Sequence, residues 1–186
     1  MGGLRGNIVL IGYRAVGKCT VGRLLAKELA MGFLDTDEEI ERRLGRPISE
    51  IVGEGGWEEF RRLEEEVIEE VSGKSGLVLA TGGGVVLKEG NVRKLKESGI
   101  LVLLWVEPEE IVRRLSQDPC CERRPPLKGN LLEEVREVLE ERKGRYFEAA
   151  DIVVDCTQKG PQDVVREIIG LLGGRGWGTP SGCSFG

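Results

Sequence analysis

Histidine is absent from this sequence of 186 residues. That absence removes the Ser-His-Asp triad, the histidine general base, the HExxH zinc site and haem held on a histidine. Aromatic residues are scarce at 5%, so aliphatic side chains must fill most of the core. No stretch approaches the ~20 apolar residues that cross a bilayer. The run Met1-Gly2-Gly3-Leu4-Arg5-Gly6 lacks the apolar centre of a signal peptide, and Gly6 stands where a myristoylation signal wants Ser or Thr. No membrane association is expected. Basic residues are also in deficit, 27 Lys and Arg against 32 Asp and Glu, for a net charge of -5. Nucleic-acid binding needs a clustered basic surface, so no nucleic-acid partner is expected. A few convergent arginines can still make a local site for a small anion. The five cysteines (Cys19, Cys120, Cys121, Cys156 and Cys183) are odd in number and lack zinc-ligand spacing. Cys120 and Cys121 are adjacent, an awkward geometry for a mutual disulfide. They read as free thiols of a reducing, cytoplasmic compartment.

What remains is an ordinary globular composition, 40% apolar and 32% charged. A chain of this length hides roughly 70% of the surface its unfolded form exposes, enough for one self-sufficient domain. Five short aliphatic runs, at Asn7 to Ile11, Phe33-Leu34, Leu77 to Ala80, Ile100 to Val106 and Ile152 to Val154, alternate with helical patterns. Those patterns cover Val21 to Met31, Lys88 to Ser98, Pro108 to Ser116, Leu131 to Phe147 and Pro161 to Leu172. Trp57, Phe60, Val67, Ile68 and Val71 fit one further helix face. Buried strands alternating with helices predict an α/β fold, a parallel sheet with helices on both faces. Gln117 to Asn130, with three prolines and Arg123-Arg124, has no periodicity and reads as a mobile loop. The glycine-rich residues Gly173 to Gly186 read as a tail without assigned structure.

Gly12-Tyr13-Arg14-Ala15-Val16-Gly17-Lys18-Cys19 fits G-x-x-x-x-G-K-[ST] except at its last place. An aliphatic strand precedes it and a helical pattern follows, the context this phosphate loop requires. Its glycines turn backbone N–H groups onto phosphate oxygens, Lys18 adds a cation, and the next helix directs its positive end at the same anion. The last place normally gives Mg²⁺ a hydroxyl. Here it holds Cys19, a poor donor for a hard ion, with Thr20 next in line.

Past the second strand comes Asp35-Thr36-Asp37, at the carboxyl end of a parallel sheet beside the phosphate loop. One carboxylate suits a metal-bound water and the other an acceptor hydroxyl. An Asp before the helical stretch Glu38 to Leu44 equally suits a helix N-cap, so both readings stay open. Gly82-Gly83-Gly84 after the third strand lets bare backbone meet a ligand, or is only a turn. Arg61, one turn from Glu64, is either oriented by it or part of a surface ion pair. Arg124 and Arg142 are unremarkable alone.

Taken in order, Phe33-Leu34-Asp35-Thr36-Asp37, Gly56 through Phe60-Arg61-Arg62-Leu63-Glu64, Ala80-Thr81-Gly82-Gly83-Gly84, Arg124-Pro125-Pro126-Leu127 and Arg142 to Asp155 resemble the shikimate kinase family over residues 7 to 172. Cys19, Pro126 and the tail depart from its pattern. The resemblance implies a P-loop kinase of the nucleoside-monophosphate-kinase type. It would be a three-layer α/β/α sandwich on a five-stranded parallel sheet of order 2-3-1-4-5. One domain would span residues 1–172, with a shikimate-binding subdomain at 36–66 and a lid at 117–130. The implied reaction carries the γ-phosphoryl of ATP to the 3-hydroxyl of shikimate, on the route to chorismate and the aromatic amino acids.

Gly12 to Thr20 would hold ATP, with Lys18 on its phosphates, Arg124 closing over them and Pro161 near adenine. Asp37 would bind the acceptor hydroxyls as base. Arg61 and Arg142 would grip the carboxylate against Gly82, Gly83 and Gly84. Mg²⁺ would sit by Cys19 and Asp35. ATP and shikimate would be the only partners of a monomer. The rivals are a gluconate or nucleotide kinase, and a non-catalytic ATP-binding module.

Overall fold

The computed structural model describes residues 6–117 and 130–176. Five strands, β1 (Asn7–Ile11), β2 (Gly32–Asp35), β3 (Leu77–Ala80), β4 (Gly99–Trp105) and β5 (Ile152–Asp155), form one sheet of order β2-β3-β1-β4-β5. Every pairing is parallel, with Leu10 opposite Ala80 on one side and Val102 on the other. β1 has no exposed residue, and Leu101 to Leu104 of β4 are as deeply buried. A strand covered on both faces needs a continuous aliphatic run, which is what these segments supply.

The helices are α1 (Lys18–Leu29), α2 (Thr36–Leu44), α3 (Ile48–Ser72), α4 (Glu89–Ser98), α5 (Pro108–Gln117), α6 (Leu131–Ala149) and α7 (Pro161–Gly174). Parallel crossovers are right-handed. The chain moves from β1 outward to β2 through α1, and then works back across the sheet through α2 to α6. The reversal puts α1 on one face and the later crossovers on the other, and α7 returns to pack on α1. The strand order turns at β1, so the carboxyl ends of β1, β2 and β3 open onto one crevice. That is where open α/β sheets bind ligands.

Three expectations need adjustment. α1 starts at Lys18, directly on the phosphate loop, rather than at Val21. α7 runs to Gly174, two residues past its expected end and into the tail. Trp57 is 40% exposed instead of sharing the buried face of Phe60, Val67, Ile68 and Val71. The cause is Gly56, whose φ of 72° and ψ of 178° break α3 and reset its phase just before the tryptophan. Residues 118–129 of the 117–130 segment expected as a lid, Arg124 among them, and residues 177–186 of the tail lie outside the described residues, while Gln117 ends α5 and Asn130 caps α6.

Asn7, fully buried at the start of β1, joins two backbone groups beside the sheet. Its Nδ2 donates to the Lys74 carbonyl at 2.7 Å and its Oδ1 accepts from the Leu77 N–H at 3.0 Å, closing the turn into β3. Asn7→Ala leaves two buried backbone groups without partners and is expected to destabilise the fold by ~2–4 kcal/mol. Urea unfolding measures this, and a loss within error of zero would show that water replaces the amide.

Candidate active site

The phosphate loop leaves β1 at Gly12, whose φ of 140° belongs to glycine and whose imagined Cβ would stand 2.6 Å from the Leu104 carbonyl oxygen. Gly17 (φ 101°) caps α1 without any side-chain hydrogen bond, so the first-turn N–H groups face the cleft, ready for an anion. Ala15 is also left-handed (φ 60°), a cost for a residue with a Cβ that the loop geometry imposes. Lys18 Nζ donates to the carbonyls of Gly12 (2.8 Å) and Tyr13 (2.7 Å), which closes the loop on itself. Tyr13 turns its ring into the core. Arg14 reaches α6 instead, pairing with Glu134 at 3.2 Å.

Residues Arg14 to Thr20 line a cleft of about 950 Å³ that continues past Asp35, Asp37 and Thr81 to Thr157 through Pro161. The opposite wall contains Arg114, which the sequence reading passed over as an ordinary residue of α5. Its Nη1 donates to the Val16 carbonyl (3.1 Å) and its Nη2 to that of Cys156 (2.9 Å), while Nε is held by Glu110 (2.7 Å). One guanidinium therefore ties the phosphate loop to the turn after β5. Hydrogen bonds from Arg113 and Arg114 hold the Glu110 carboxyl down at about 2, so it stays charged at neutral pH. The i,i+4 spacing of Glu110 and Arg114 was the available clue. Arg114→Ala is expected to weaken ATP binding about tenfold, because both carbonyls lose their donor and the wall loosens. Calorimetric titration with ATP checks this; an unchanged Kd with a lower melting temperature would confine Arg114 to stability.

The acceptor side is built around the three glycines. Thr81 Oγ1 and its own N–H both donate to the Leu10 carbonyl, locking the end of β3 to β1. The Gly82 N–H donates to Thr36 Oγ1 at 3.2 Å, which sets the turn against α2. A Cβ on Gly82 would stand 2.6 Å from Glu64 Oε1 and 2.8 Å from Asp37 Oδ1. One on Gly84 would stand 2.0 Å from Arg61 Nη2. Arg61 Nη1 pairs with Glu64 at 2.6 Å; with Glu64 fully buried and Arg61 14% exposed, this is no surface ion pair. Arg142 Nη1 donates to the Gly83 carbonyl at 3.3 Å, and the Tyr146 hydroxyl donates to the same oxygen. Burial pushes the Tyr146 phenol up to about 12, so it remains a donor. The Nε of Arg142 is buried without a partner among the described residues. Two guanidiniums thus converge on bare backbone next to a carboxylate, a geometry that receives a small anion carrying hydroxyls.

Asp35 is the helix N-cap that one of its two sequence readings expects. Its Oδ1 caps α2, accepting from the N–H groups of Asp37 (2.9 Å) and Glu38 (3.2 Å). Its Oδ2 accepts the Cys19 thiol at 2.6 Å. Burial, and then the charge of Asp35, push that thiol up to about 12. Among the described residues no group of three or more Cys, Asp or Glu side chains is placed to hold a metal. A protonated thiol and a carboxylate spent half on a helix cap do not fit Mg²⁺ as direct ligands, since that ion demands hard oxygen donors.

Strand, phosphate loop and helix at the switch point, opening on a separate small-anion pocket, define a P-loop phosphotransferase with a compact acceptor. The shikimate kinase family model matches residues 14–172. The shikimate kinase of Moorella thermoacetica is 44% identical over 163 residues, 88% of this chain and 92% of that protein. The structure of shikimate kinase from Acinetobacter baumannii in complex with shikimate superposes with a TM-score of 0.86 at 35% identity, covering 92% of this chain and 94% of that one. This chain belongs to the shikimate kinase family. A gluconokinase from Sinorhizobium meliloti matches with a TM-score of 0.60 at 21% identity, covering 92% of this chain and 94% of that one, which shows a common fold alone. No helix among the described residues is long and apolar enough to cross a membrane.

Proposed function

We propose that this chain transfers the γ-phosphoryl group of ATP to the 3-hydroxyl of shikimate, releasing ADP and shikimate 3-phosphate. The observation that carries this reading is the convergence of Arg61 and Arg142 on the Gly82–Gly84 turn, within reach of Asp37 and at the mouth of the phosphate loop. Planar guanidiniums pair with a carboxylate through two parallel hydrogen bonds. Shikimate presents one carboxylate and several hydroxyls, so the pair would fix its orientation while Asp37 receives the hydroxyl to be phosphorylated. Glu64 holds Arg61 in its rotamer, and Tyr146 holds the Gly83 carbonyl.

Phosphoryl transfer needs positioning and charge neutralisation more than covalent help. Lys18 and the N-terminus of α1 would supply positive charge to the phosphates. Arg124 is assigned to the same task from the lid. Asp37 would take the hydroxyl proton as the oxygen attacks phosphorus and ADP departs. ATP in this family generally travels with Mg²⁺; with Cys19 where an oxygen donor is expected, no step is assigned to that ion through this side chain.

A coupled ADP-release assay with shikimate, gluconate and a nucleoside monophosphate as alternative acceptors tests the proposal. Turnover should be found with shikimate alone. Turnover with gluconate, or ATP binding without transfer to any acceptor, would replace this reading by a sugar-acid kinase or a binding module.

A further inference from the structure

We infer that Tyr146 is a positioning residue for the acceptor: it holds the Gly83 carbonyl so that Arg142 can leave that oxygen for the carboxylate of the substrate. This role rests on the reading of the glycine turn as the acceptor pocket. Arg142 and Tyr146 stand one turn apart on α6, at the i,i+4 spacing that puts two side chains on one face. Both donate to the same acceptor, the carbonyl oxygen of Gly83. They hold it differently. Tyr146 is fully buried within the hydrophobic core, and its hydroxyl gives its one proton to this oxygen. Arg142 is half-buried, and its Nη1 lies at 3.3 Å, the long end of an N–H···O hydrogen bond. Its Nε is buried without a partner among the described residues. The guanidinium is thus the donor that still has contacts to make.

Gly83 is wedged against the phosphate loop. A Cβ there would stand 3.3 Å from the Arg14 backbone nitrogen and 3.5 Å from the Gly12 carbonyl oxygen. The peptide therefore has little room to turn and follow a departing guanidinium, and its donor must be brought to it. A substrate carboxylate draws Arg142 towards itself, because a charge-assisted bidentate pair is stronger than a bond to a neutral carbonyl. Without the Tyr146 hydroxyl, that movement would strip a buried carbonyl of its donor, and the cost would be set against substrate binding. With it, the oxygen stays satisfied throughout. Burial pushes the phenol up to about 12, so the hydroxyl keeps its proton across the neutral range. Two donors share the oxygen before substrate binds, and one suffices afterwards.

Tyr146→Phe, which keeps the ring and removes only the hydroxyl, is compared with Arg142→Ala and with the double variant. Two measurements are made on the full chain: steady-state kinetics with ATP and shikimate, and thermal unfolding without ligands. Tyr146→Phe should raise the KM for shikimate roughly 5- to 30-fold, with smaller changes in kcat and in the KM for ATP. In the Arg142→Ala background the same substitution should raise the KM for shikimate less than about twofold, because no guanidinium is left to release. Each single variant leaves Gly83 one donor. The double variant leaves neither, so its loss of melting temperature should exceed the two single losses together by about 2 °C or more. An unchanged KM for shikimate in Tyr146→Phe, an equal fold-loss in both backgrounds, or additive losses of melting temperature overturns the inference. A parent that transfers nothing to shikimate, with melting losses still more than additive, would count against the proposed reaction and leave the shared carbonyl standing.

Discussion

Asp37→Asn is expected to lower phosphoryl transfer ~10²–10⁴-fold while ATP binding stays near that of the parent protein. Removing a positioned proton acceptor costs about that much when the rest of the site is intact. The amide keeps the size of the side chain and its place in the first turn of α2, so the acceptor pocket should keep its shape. The proposed ATP contacts lie on the phosphate loop and the far wall of the cleft, and the histidine-free sequence offers no substitute base of that kind. Transfer rates with saturating shikimate, together with an ATP titration, separate the two effects. Turnover at the parent rate would remove Asp37 from the role of base. A parallel loss of ATP binding would instead place its contribution on the nucleotide side.

The carboxylate clamp should give the second large effect. Arg61→Ala is expected to cost shikimate binding about 2–5 kcal/mol, ~30- to 5000-fold in Kd, because a largely buried guanidinium, only 14% exposed, would no longer meet the substrate carboxylate. Gly84→Ala offers a test of the same contact from the other side. Its Cβ would fall 2.0 Å from Arg61 Nη2, so the guanidinium must move although no charge is removed. Both variants should raise the KM for shikimate far more than that for ATP. If Gly84→Ala binds shikimate as well as the parent, Arg61 has room to reorient, and its observed rotamer is not what binding needs.

How far these residues could be read beforehand depends on how local their interactions are. The phosphate loop is contiguous: strand, glycines, lysine and helix are consecutive, and each constrains its neighbours through backbone geometry alone. The same holds for Arg61 and Glu64, one helical turn apart. The sequence could not separate a buried pair from a surface one, because burial depends on what packs above α3. Arg142 and Gly83 are 59 positions apart and Arg114 and Val16 are 98 apart, so no periodicity marks either contact. Trp57 shows a different limit, since a single positive φ at Gly56 is enough to undo a face assigned by 3.6-residue spacing.

By itself the sequence determined the alternation of buried strands and amphipathic helices, the phosphate loop, and the chemical types available for catalysis. Those properties follow from hydrophobic periodicity, glycine at left-handed positions, and the absence of histidine, all of which act over a few residues. Tertiary structure decided which side chains share a pocket. Right-handed crossovers and the reversal at β1 bring the ends of three strands to one crevice. Folding alone decided the state of Cys19 and Asp35. Each was a metal candidate in isolation, and the packing of α1 beside β2 turned them into one hydrogen-bonded pair.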